Sequence, residues 1–267
     1  MRELERDPKP SSEAGVTHAA LAVVGPGRVG RSLARAALDA GLEVELAGRR
    51  DAVAACERSE VALLCVPDAA IKAACEAIAA AVPPVRLVGH VSGATPLSAL
   101  APARRRGAEV FCLHPLQTVP DGDTSLAGAP CAVSASTLDA ERAASALANR
   151  LGMRPFELAE EQRTVYHAAA CMASNFLVAL EESAAELLGS TGIEDARELL
   201  APLVLRTAAN WAERGDEALT GPIARGDEET VVRHLDSIAE SSPGLADLYR
   251  VLADRTRELA RGPEVPA

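Results

Sequence analysis

The first hydrophobic block of the chain, Ala19 to Val24, is short and unbroken, and Gly25, Gly27 and Gly30 follow it closely. Apolar positions then recur with helical spacing to Ala40, Gly41 stops the pattern, and a second strand is read from Leu42 to Ala47. An unbroken block suits a strand covered on both faces and the 3.6-residue period suits a helix, so this region predicts strand, glycine turn, helix, strand. Later blocks repeat the theme. Val61–Val66 ends at Pro67 and Asp68, "VRLVGHVSGA" leads to His90, Ser92 and Gly93, and "AEVFCLHPLQT" leads to His114, Pro115, Gln117 and Thr118. "GAPCAVSAS" reads as a last strand before a helix from Asp139 to Leu151, and Asp68 reads as the N-cap of the helix after its strand. Buried strands that deliver polar residues at their ends predict a doubly wound sheet with a site along one edge.

From Glu160 the pattern turns helical. One helix is expected up to the stop at Gly189, a second from Glu194 to Arg214, a third from Glu228 and a fourth from Gly244 to Arg261. The expected architecture is an α/β N-terminal domain with a Rossmann-type parallel sheet, followed by an all-α C-terminal domain. Residues 1–17, charged and rich in Pro and Ser, read as a disordered tail, 18–153 as the dinucleotide-binding domain, and 154–267 as a helical substrate and dimerisation domain. In the first long helix His167, Cys171, Ser174 and Asn175 fall at i, i+4, i+7 and i+8, on one face. Such a stripe either lines a cleft or is satisfied by neighbouring elements, because unpaired buried polar groups cost about 1–3 kcal/mol each.

Composition narrows the function classes. Hydrophobic residues make up 48% and charged residues 24% of the 267, enough for a core, and aromatics only 2%, so burial falls to Ala, Leu and Val. A net charge of −11 excludes a general binder of nucleic-acid phosphates, which needs clustered Lys and Arg. No run of about 18 strongly apolar residues offers a membrane span, and no apolar leader is visible, so a cytoplasmic protein is expected. Cys56, Cys65, Cys75, Cys112, Cys131 and Cys171 are scattered without metal-ligand spacing and read as small buried hydrophobes, and no metal site is expected.

The glycine turn carries the chemistry. In a strand–GxGxxG–helix setting Gly25 permits the tight turn, Gly27 lets the backbone approach a pyrophosphate, and Gly30 lets the helix lie against the strand. The helix N-terminus adds free N–H groups and the positive dipole end, with Pro26, Arg28 and Val29 completing the cradle. The second strand ends "LAGRR", so Arg49 and Arg50 stand where an acid would bind the ribose of NAD; they favour NADP, the bland reading being solvated loop charges. Val66 and Pro67, at the end of the third strand, fall near the nicotinamide half. His167 is the expected acid or base, with His114 and His90 as competitors from the sheet edge and Asn175 beside it. Ser92, Gln117, Thr220 and Arg225 are the expected substrate residues. The last two lie in "LTGPIARGD", which reads either as a loop aimed at an anion or as a helix–helix connection where Gly226 ends one turn and Asp227 caps the next helix.

With "VVGPGRVG", "LLCVPD", "HVSG" and "CLHPLQT" ahead of a helical half containing "LTGPIARGD", the chain resembles bacterial proteins that join a Rossmann-like domain to a domain of unknown function, DUF2520. More distantly it is similar to pyrroline-5-carboxylate reductases, ketopantoate reductases, prephenate dehydrogenases and the 6-phosphogluconate dehydrogenase group. That resemblance implies a 6-phosphogluconate dehydrogenase-like helical domain, a homodimer and an oxidoreductase. One departure matters: the lysine that some of these relatives use as acid or base has no counterpart, since none follows Lys72. The combined reading is an NADP(H)-dependent oxidoreductase acting on a small carbonyl or imine acid, with NAD or F420 as other cofactors. Its rival is a non-catalytic dinucleotide sensor or partner-binding protein.

Overall fold

The structure, a computed structural model, describes residues 20–262, so the expected tail at 1–17 lies outside the described residues. It divides into two compact units, the first running to Ala170 and the second starting at Cys171.

The first unit is built on one sheet. Its strands are β1 (Leu21–Val24), β2 (Val44–Ala47), β3 (Val61–Leu64), β4 (Leu87–His90), β5 (Glu109–Pro115), β6 (Pro130–Ala135) and β7 (Arg154–Glu157), in the order β2-β1-β3-β4-β5-β6-β7. The helices between them are α1 (Arg28–Asp39), α2 (Ala52–Glu57), α3 (Ile71–Ile78), α4 (Ala101–Arg105) and α5 (Leu138–Arg150). β2, β1, β3, β4 and β5 pair in parallel, and the unbroken apolar β1 and β3 are buried along their whole length, as a strand covered on both faces should be. Two features depart from the expectation. β6 runs antiparallel to β5, and a further strand, β7, pairs beside it past residue 153, with an exposed Arg-Pro-Phe-Glu sequence that has no apolar run to announce it.

Two cores sandwich the sheet. On one face Leu33, Ala34 and Ala37 of α1 and Ala140, Ala144 and Ala148 of α5 cover Leu21, Val23, Leu63, Phe111 and Val133. On the other, α2, α3 and α4 set Ala55, Cys56, Ile71, Cys75, Ile78 and Ala103 against Ala22, Val24, Leu64, Val88 and Val110. Alanine lets the helices approach closely, and the one large ring is admitted by a glycine: a Cβ on Gly89 would fall 2.5 Å from Phe111. Because β1 has β2 on one side and β3 on the other, the chain leaves their C-terminal ends in opposite directions, the point where such sheets bind ligands.

A short turn at Glu160–Gln162 leads into α6 (Arg163–Ala173), which spans the boundary between the units. The long helix expected up to Gly189 is broken. Ser174, at φ −125° and ψ −74°, separates α6 from α7 (Asn175–Gly189), and its hydroxyl bonds the adjacent Asn175 Oδ1 at 2.9 Å.

The second unit continues with α8 (Ala196–Arg214), α9 (Gly221–Ala224), α10 (Glu228–Ser241) and α11 (Ala246–Arg261). In "LTGPIARGD" the backbone turns through Gly221 at φ +90° and Gly226 at φ +74°, conformations that glycine adopts without steric cost. Asp227 caps α10 as expected, accepting the Thr230 N–H at 3.1 Å. The equivalent expectation for Asp68 is corrected: it opens a single 3-10 turn at Asp68–Ala70 and makes no side-chain cap.

Candidate functional site

The C-terminal ends of β1 and β3 hold the glycine turn. Gly25 sits at φ +118°, and a Cβ there would lie 2.4 Å from the Cys65 carbonyl oxygen; at Gly30 it would lie 2.0 Å from the Gly25 carbonyl oxygen. Both glycines are buried and demanded by the chain's own packing. Gly27 is different. It is exposed at φ −75°, and a Cβ there would meet nothing within 4 Å, so no contact within the protein requires a glycine.

The α1 N-terminus beside Gly27 has no side-chain cap and no acidic residue in its first turn. It carries Arg28 and Arg31 instead, cations at the positive end of the helix dipole, an arrangement that an anion would relieve. Arg31 donates from Nε to the Pro26 carbonyl at 3.0 Å and holds the turn; Arg28 reaches the Pro120 carbonyl at 3.5 Å. Past the end of β2, Arg49 and Arg50 are exposed, and among the described residues neither forms an ion pair. Val66 is half-buried beside Gly25 and Pro67 is exposed. The residues thus fit a dinucleotide: an open glycine, an uncapped helix end and unpaired guanidinium groups.

A second cluster lies farther along the same sheet edge. His114, near the end of β5, is half-buried, with Nδ1 2.7 Å from the hydroxyl of Tyr166. The His167 ring stands edge-on to it, centroids 6.1 Å apart. Both imidazoles close on Gly93, where a Cβ would fall 2.7 Å from His167 Cδ2 and 2.9 Å from His114 Nε2. Burial and then the neighbouring His167 and Arg163 hold His114 down to about 4, so it is neutral near pH 7. Burial pushes the Tyr166 phenol up, keeping it protonated.

Buried side chains brace this cluster from below. Arg163, 2% exposed, pairs with Glu160 at 2.8 Å and donates to Cys112 Sγ at 3.1 Å. Cys112 in turn donates to the Ser92 carbonyl at 3.3 Å, and Glu160 accepts the Leu97 N–H at 2.7 Å, so the α6 start, β5 and the loop after β4 are tied together. Burial pushes the Cys112 thiol up to about 11, partly opposed by Arg163. His90 is fully buried and its Nδ1 accepts the Ser92 N–H at 3.2 Å, which leaves the proton on Nε2, a buried donor with no partner among the described residues. Burial, followed by the Arg163 charge, holds His90 down to about 4.

His114 and His167 are therefore brought together, and His90 is buried at the end of the neighbouring β4. Ser92 is buried and spends its hydroxyl on its own loop, accepting from the Ala94 and Thr95 amides at 3.2 and 2.9 Å. Gln117 is exposed and donates to the Ser125 carbonyl at 2.8 Å. Asn175, Thr220 and Arg225 are exposed residues of the second unit. Tyr166, Arg163 and Glu160 join the cluster without a motif to announce them, and Cys112, expected only as a small buried hydrophobe, accepts from Arg163. The sequence does carry a signal for the first three: Tyr166 is one of two tyrosines and is adjacent to His167, and Glu160 and Arg163 form an acid–arginine pair at i, i+3 ahead of it.

The doubly wound sheet and its glycine turn define a Rossmann-like protein, and a family model described as a Rossmann-like domain matches residues 45–115. More particularly, a family model described as a domain of unknown function, DUF2520, matches residues 129–256. No curated protein matches the chain. Among solved structures it is similar to a Bacteroides fragilis protein named as a candidate NADP oxidoreductase (TM-score 0.73, 22% identity, covering 90% of this chain and 98% of that one). A Thermotoga maritima protein whose name states no activity is comparable (0.71, 21%, 90% and 98%). A Plasmodium falciparum pyrroline carboxylate reductase solved with NADP bound shares the fold at TM-score 0.59 and 12% identity, covering 92% and 100%. At such identities the likeness is one of fold.

Proposed function

We propose that the protein is an NADP(H)-dependent oxidoreductase that transfers hydride to or from a small carbonyl or imine acid. The observation that carries this reading is Gly27: an exposed glycine that no internal contact requires, at an uncapped helix end bearing Arg28. Arg49 and Arg50, without acidic partners, suit a ribose 2′-phosphate, and the pyrroline carboxylate reductase neighbour binds NADP and is named for an imine acid.

In this reading the bound nicotinamide supplies the hydride chemistry. The amides of the Gly25–Gly30 turn and α1 hold the pyrophosphate, Arg49 and Arg50 the 2′-phosphate, and Val66 and Pro67 flank the nicotinamide half. His114 and His167 donate to, or exchange a proton with, the substrate oxygen or nitrogen. Ser92 and Gln117 shape the loops beside them. Asn175, Thr220 and Arg225 are proposed substrate groups on sequence grounds, and the helical domain is proposed to form a homodimer in the cytoplasm.

Titration with NADPH and NADH tests the cofactor: NADPH is expected to bind at least tenfold more tightly, and tighter NADH binding overturns the assignment. A panel of 2-oxo acids and cyclic imines tests the activity. Tight NADPH binding with no oxidation across the panel favours the sensor reading.

A further inference from the structure

We infer that Tyr166 is a positioning residue that fixes the tautomer of His114, donating its phenolic proton to Nδ1 so that the imidazole carries its own proton on Nε2. The two side chains meet at 2.7 Å from different elements, α6 and β5, with the rings edge-on and centroids 5.5 Å apart. A neutral imidazole has one donor and one acceptor nitrogen, and the bond made by one decides the role of the other. Among the described residues His114 Nδ1 is the hydrogen-bond contact of the Tyr166 hydroxyl, which has one proton to give and a phenol that burial keeps protonated. The proton given to Nδ1 leaves Nε2–H on the side of the ring that faces Gly93 and His167.

The consequence deepens the proposed function and rests on it only for the role of His114 in turnover. With its proton on Nε2 and no charge at pH 7, His114 acts as an uncharged donor toward an oxygen or nitrogen that gains electron density, and not as a base. Proton exchange then falls to another group. The charged and titratable groups facing the ring are His167 and Arg163 of α6, Asp68 after β3 and His90 of β4, and none of them supplies a carboxylate bonded to Nδ1.

The test uses the full-length protein labelled with 15N in histidine, its His114 signals assigned by their loss in His114→Gln. At pH 7 a long-range proton–nitrogen spectrum is expected to show Nδ1 unprotonated and Nε2 protonated. The reverse pattern, or two protonated nitrogens, overturns the inference. In Tyr166→Phe the loss of a bond that only the neutral ring can accept makes protonation easier, so the His114 midpoint is expected to rise by about 0.5–1 pH unit. A midpoint that stays or falls also overturns it. The wild-type spectrum decides the question if the variant does not fold. Turnover lost in His114→Gln bears on the functional reading alone, so the two can fail separately.

Discussion

Single residues at the glycine turn separate folding from binding. Gly25→Ala would force a Cβ against the Cys65 carbonyl in a left-handed conformation and is expected to cost at least about 2 kcal/mol of stability in urea unfolding. Gly27→Ala, placed in open space at an ordinary φ, is expected to stay within about 0.5 kcal/mol of wild type while weakening NADPH binding at least tenfold. Equal NADPH affinity in that variant would remove the main support for a dinucleotide. His90 makes a different prediction. Its midpoint drops from the ordinary 6.5 to about 4 on folding, so between those values the unfolded chain binds more protons. Stability is therefore complete above pH 6.5 and falls as the pH drops toward 4, by roughly 3 kcal/mol from His90 alone. Unfolding measured from pH 7 to 4.5 should show that slope, and because His114 carries the same shift, His90→Asn should reduce it by about half.

At the scale of elements, the start of α6 depends on one ion pair. Removing the acid in Glu160→Ala leaves a guanidinium that is 2% exposed without its carboxylate and frees the Leu97 amide. A loss of about 2–4 kcal/mol is expected, with the His114 and His167 resonances shifting together. Elements with strong patterning were legible in the sequence: β1, β3, β4 and β5 through apolar runs, β2 through apolar–acidic alternation after the Gly41 stop, α1, α5 and α8 through helical spacing, and the Asp227 cap through its chemistry. The break at Ser174 was not, because Ala, Ser and Asn permit a continuous helix locally and nothing in their spacing marks a stop. β7 escaped for the opposite reason: it is an exposed edge strand, so burial wrote no pattern into it. The His114, His167 and Gly93 positions could be named individually, but their meeting with Tyr166 joins residues far apart in the chain, which periodicity does not encode.

For the whole molecule, the helical unit displays more apolar surface than an isolated chain usually carries. No residue of α7 is buried and only Ala196 of α8 is, while Phe176, Val178, Leu203, Leu205 and Trp211 are each over 60% exposed. A homodimer is the expected outcome, with sedimentation giving twice the protomer mass and Leu203→Glu shifting it toward the monomer. Trp211 is the chain's single tryptophan, so its emission should move to the blue as the dimer forms on concentration. A red-shifted, concentration-independent spectrum with monomer mass would reject the dimer.

The unequal glycines of the first turn also offer a way to tell lineages apart. A descendant that abandoned its cofactor but kept the sheet would still be held to glycine at the positions of Gly25 and Gly30, where the backbone itself leaves no room. The position of Gly27 would be released to any side chain. If the proposed dinucleotide is held there, that middle position records whether a ligand is still being served.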